Sequence, residues 1–65
     1  MRLDDLAQKI TDYNVHRFKR GSSKKLCEVC EATRATLWLE WEISFRDVFC
    51  ESCFQAAGGD MREVT

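Results

Sequence analysis

Hydrophobic and polar positions along the chain change period twice. Leu3, Leu6, Ala7, Ile10, Tyr13 and Phe18 recur at spacings of three, four and seven, which predicts an amphipathic helix over residues 3–20. The charges agree with that reading. Asp4 and Asp5 fall near the positive N-terminal end, and Arg17, Lys19 and Arg20 near the negative C-terminal end, with Gly21 as a left-handed stop. Its weakest stretch is Asn14-Val15-His16, three middling helix formers in a row. Residues 22–25, Ser-Ser-Lys-Lys, form a polar linker.

From Leu37 the period becomes two. Leu37, Leu39, Trp41, Ile43 and Phe45 alternate with Trp38, Glu40, Glu42, Ser44 and Arg46, the pattern of strands with one apolar and one polar face. A single nine-residue strand would carry the chain away from the cysteines at 50 and 53, so the expectation is a hairpin turning around residues 44–47. Trp41 belongs to the apolar face and is expected in the core. Residues 51–57 read as a short helix ended by Gly58-Gly59, and 60–65 as a frayed tail. The fold class expected is a small α+β domain: N-terminal amphipathic helix, knuckle, β-hairpin and C-terminal helix. Residues 1–21 supply the helix, 22–25 the basic linker and 26–65 the cysteine-bearing unit, within one compact domain.

Sixty-five residues leave little core. Domains of this size bury only about 60% of their unfolded surface and often need a metal, disulfides or a partner. The 45% apolar content, with two Trp and four Phe, nevertheless argues against disorder. No apolar run approaches the roughly 20 residues of a membrane span, and the acidic start lacks the apolar segment of a secretory signal. A cytoplasmic location without membrane association is therefore expected.

The four cysteines carry the strongest signal. Cys27-Glu28-Val29-Cys30 and Cys50-Glu51-Ser52-Cys53 give C-x2-C-x19-C-x2-C. Paired cysteines three apart can turn both sulfurs toward one point, and two such pairs complete the four thiolates of a tetrahedral Zn²⁺ site. One zinc per chain on Cys27, Cys30, Cys50 and Cys53 is the expectation. Two disulfides would need an oxidising compartment. A redox dithiol is disfavoured by Glu28, Glu31 and Glu51 beside the sulfurs. Iron in a rubredoxin-like site is the metal alternative, although such knuckles usually carry Gly after the second Cys, where Glu31 and Phe54 stand here.

The order of knuckle, hairpin and a Cys-x-x-Cys opening a helix resembles a treble-clef zinc finger, with the zinc-ribbon group as neighbour. The resemblance covers a little under half the chain and rests on the cysteines. In size and layout the chain is also similar to small bacterial or phage regulators such as Gin-type anti-sigma factors, from which no functional residue is carried over. These likenesses imply an architecture that serves in many binding roles.

A closed four-thiolate shell leaves no position for water or substrate, and the single histidine, His16, precedes the cysteines, where it reads as a solvated helix residue. The chain is therefore expected not to be an enzyme and to have no small-molecule substrate. Charge is divided: residues 1–25 carry seven basic and three acidic side chains, residues 26–65 three basic and eight acidic. The expected role is a non-catalytic adaptor or regulator docking on a larger protein, in transcription or other nucleic-acid machinery. Trp38, Glu40 and Glu42 on the outer strand face, with Arg17, Lys19, Arg20, Lys24 and Lys25, are the candidate contacts. The alternative is direct DNA or RNA binding through the basic segment. Should the helix not pack on its own finger, its apolar stripe would offer a homodimer interface.

Overall fold

The computed structural model describes residues 1–40 and 46–65. The chain runs through helix α1 (Leu3–Asp12), strands β1 (Asn14–Arg17), β2 (Leu37–Glu40) and β3 (Arg46–Phe49), helix α2 (Glu51–Ala56) and a single 3-10 turn at Met61–Glu63. The described strands form one antiparallel sheet in the order β1-β2-β3. Val15 faces Leu39 across β1 and β2, and Leu37 faces Phe49 across β2 and β3. The small α+β class and the β2–β3 hairpin thus agree with the sequence pattern. The expected hairpin turn and the residues Trp41, Glu42, Ile43 and Phe45 lie outside the described residues, save for the turn's last two positions, which belong to β3.

The predicted helix over 3–20 is corrected. It stops at Asp12, and Tyr13 takes an extended backbone, φ −130° and ψ 155°. The competing force is the sheet. Asn14, Val15 and His16 have modest helix propensity, and β-branched Val15 gains more as a buried strand residue opposite Leu39. Past β1, Gly21 N–H donates to the Phe18 carbonyl at 3.0 Å, closing a four-residue turn with Gly21 at φ 88°. Lys19 and Arg20 therefore occupy the exposed corner of a turn rather than a helix end.

The core gathers Leu6, Val15, Cys27, Leu37, Leu39, Phe49, Cys50 and Phe54. Leu6 is fully buried, so α1 packs on its own finger, while Leu3 and Tyr13 of the predicted stripe stay exposed. Lys9 ties α1 to β3 through a 2.6 Å ion pair with Asp47. Phe49 and Phe54 lie nearly parallel, centroids 5.9 Å apart, and Gly59 turns the chain so closely over Phe54 that a Cβ there would enter the ring.

Residues 60–65 are not the frayed tail that composition suggests. Asp60 caps the 3-10 turn through its Oδ1, accepting from Arg62 N–H at 2.9 Å. Thr65 then lies along the outer edge of β1, its N–H donating to the Val15 carbonyl and its carbonyl accepting from Arg17 N–H, both at 3.0 Å. An open strand edge offers unpaired backbone groups, and this edge is invisible while residues 14–17 are read as helix.

Candidate metal centre

Two different local structures deliver the cysteines. The first pair sits in a knuckle whose flanks are bridged at Leu26 and Arg34. Cys27 N–H donates to the Thr33 carbonyl at 2.7 Å, and Glu31 N–H to the Cys27 carbonyl at 2.9 Å. Glu31 closes the turn with φ 56°, in the left-handed region that normally favours glycine. The second pair opens a helix. Cys50 is the N-cap residue of α2 and Cys53 lies in its first turn, so both sit at the helix's positive end.

The four sulfurs lie within 4.8 Å of one another, with Cys30 Sγ and Cys50 Sγ 3.9 Å apart. Zinc–sulfur bonds of about 2.3 Å in a tetrahedron put the sulfurs about 3.8 Å apart, whereas a disulfide needs about 2.05 Å. All four cysteines are free thiols. The donor set thus has the separation and softness of a four-coordinate metal site, and sequence spacing alone identified every member of it.

The thiols are not equivalent. Burial opposes ionisation at Cys27, but amides of Cys30, Cys50 and Val29 outweigh it and hold the thiol below its ordinary value; Val29 N–H lies 3.3 Å from this sulfur. At exposed Cys30 the amides of Ala32 and Thr33 lower the thiol to about 6. Burial pushes Cys50 and Cys53 up, and neighbouring Cys27 adds to the rise. Four thiolates crowded together repel one another unless a cation sits among them, so the arrangement favours a bound metal ion. Glu28 connects the knuckle to the sheet: its N–H donates to the Val48 carbonyl at 3.0 Å and its Oε2 accepts from Val48 N–H at 2.6 Å.

The expected contact residues separate. Arg17, Lys19 and Arg20 line a groove of about 700 Å³ together with Trp38, His16, Phe18, Ser22 and Thr65. Lys24 and Lys25 are exposed outside that lining, as is Glu40; Glu42 is outside the described residues. His16 is corrected from a solvated helix residue to a half-buried strand residue. Its ring stacks on Trp38 with centroids 4.4 Å apart, while Nε2 lies 2.7 Å from Glu40 Oε2 and Nδ1 2.7 Å from Thr65 Oγ1. Sequence reasoning missed His16 and Phe18 as groove residues. The available signal was the alternation of Val15 with its two neighbours around a β-branched centre, overshadowed by the helical spacing before it.

The fold and site define a small α+β protein with a four-cysteine cluster arranged to hold a metal ion. No known protein family, curated protein or solved structure matches the chain. No helix among the described residues is long and apolar enough to cross a membrane.

Proposed function

We propose that the chain is a non-catalytic, zinc-stabilised adaptor of treble-clef type that docks on a larger protein of transcription or other nucleic-acid machinery. The convergence of four free thiols on one point carries this reading. Four protein thiolates saturate zinc and leave no open position for catalysis. The metal instead supplies folding energy, about 10–16 kcal/mol of apparent binding free energy in comparable zinc-finger peptides. The knuckle followed by a helix-opening cysteine pair supports the treble-clef assignment. The engagement of His16 by Glu40, Thr65 and Trp38 supports a structural histidine rather than a general base.

Native mass spectrometry with and without a chelator tests the core of this reading. One zinc per chain, with loss of folded structure on its removal, is expected. Iron, or a metal-free chain lighter by the hydrogens of two disulfides, would overturn it.

Direct DNA or RNA contact is the second reading, and one observation favours it: Trp38 and the basic residues Arg17, Lys19 and Arg20 share one groove. A steep fall of nucleic-acid affinity with added salt is the expected signature, and no binding at low salt would refute it.

A further inference from the structure

We infer that the groove walled by His16, Phe18 and Trp38 binds an unpaired nucleic-acid strand, a deepening that rests on the reading of direct nucleic-acid contact. Its lining combines two chemistries. Arg17, Lys19 and Arg20 supply cations for phosphates, and the half-buried Phe18 and the His16–Trp38 stack supply aromatic surface. Single-strand binders use this combination, a cationic track for the backbone and rings for the bases.

The aromatic component decides between ligands. In a duplex the base faces are already stacked on one another, so only an unpaired base can exploit a ring at the groove. An acidic peptide would engage the cations and leave the rings unused. At about 700 Å³ the groove is of a size suited to small planar groups rather than to a whole helix. The closed turn from Phe18 to Gly21 holds Phe18 beside Lys19 and Arg20, so base and phosphate contacts fall on adjacent residues, as they do along a strand. Among the described residues, Glu40 is engaged by His16 Nε2 and Glu51 lines the adjoining hollow with Arg17 and Phe18, and neither lines the groove itself.

The test uses the zinc-loaded full chain and fluorescence anisotropy with labelled oligothymidylate, oligouridylate and a blunt DNA duplex of equal length. Single strands should bind at least about tenfold tighter than the duplex. Phe18→Leu should weaken single-strand binding by about tenfold without changing the salt slope. Lys19→Gln and Arg20→Gln, exposed positions that should leave folding intact, should each flatten the slope by about 0.7. Equal affinity for duplex and single strand, or an unchanged affinity in Phe18→Leu, would overturn the groove assignment while direct nucleic-acid contact survived. Displacement of the strand by an equal concentration of polyglutamate would likewise overturn the groove assignment alone, because a ring-independent polyanion would then suffice, whereas no binding of any oligonucleotide at low salt would overturn both.

Discussion

Glu28 holds Val48 twice, through its backbone N–H to the Val48 carbonyl and through its carboxylate to the Val48 N–H. The half-buried carboxylate thereby joins the knuckle that carries Cys27 and Cys30 to β3, the strand that leads into Cys50. Hydrogen bonds to charged groups contribute about 1.5–3 kcal/mol. Glu28→Ala should lower the stability of the zinc-loaded protein by about 1–2 kcal/mol, discounting for partial exposure, and should hasten zinc transfer to a chelator. Thermal denaturation and chelator competition measure the two effects. Unchanged values in both would show that the knuckle is anchored without this contact.

Glu31 occupies a left-handed backbone position, φ 56°. A side chain there costs about 1–2 kcal/mol, while glycine's extra unfolded-state freedom offsets part of the relief. Glu31→Gly should therefore raise stability by up to about 1 kcal/mol, read as a shift in the denaturant midpoint with unchanged slope. A loss of stability would mean that the Glu31 side chain contributes more than the backbone strain removes.

Gly59 passes directly over the Phe54 ring. Gly59→Ala should destabilise by about 1–3 kcal/mol, because Phe54 is buried against Phe49 and cannot move aside without opening the core. Gly58→Ala probes the different constraint of φ 93° with open space around the Cβ. Its cost should be nearer 1 kcal/mol. Equal costs in calorimetry would contradict the distinction.

Zinc uptake must displace protons wherever thiols remain protonated. Cys50 and Cys53 are raised by burial, whereas Cys27 and Cys30 are lowered by backbone amides. At neutral pH Cys30, lowered to about 6, should therefore release the fewest protons, and the raised Cys50 and Cys53 should release theirs in full. The thiolates are the metal-binding form, so metal-linked stability is present at higher pH and is lost as pH falls. Calorimetric titration in buffers of different ionisation enthalpy measures the protons released. Circular dichroism during acidification should show metal loss and unfolding together, and retention of the folded signal after metal release would separate metal from fold.

The sequence by itself determined the metal site and half of the architecture. Cysteine spacing is a local property: a tight turn or a helix's first turn brings two sulfurs together whatever surrounds them, so Cys27, Cys30, Cys50 and Cys53 were identifiable without coordinates. The period-two pattern at Leu37 and Leu39 and the Gly58-Gly59 stop are equally local. Only the tertiary structure decided the fate of residues 13–18. Their helical spacing and their strand propensity are nearly balanced, and pairing with β2 tips the balance because Val15 gains burial opposite Leu39. That choice creates the edge to which Thr65 binds, turns His16 onto Trp38 and brings the basic corner at Lys19 and Arg20 beside the ring of Phe18. The Thr65 edge and the His16–Trp38 stack depend on contacts between residues distant in sequence, which no local period encodes.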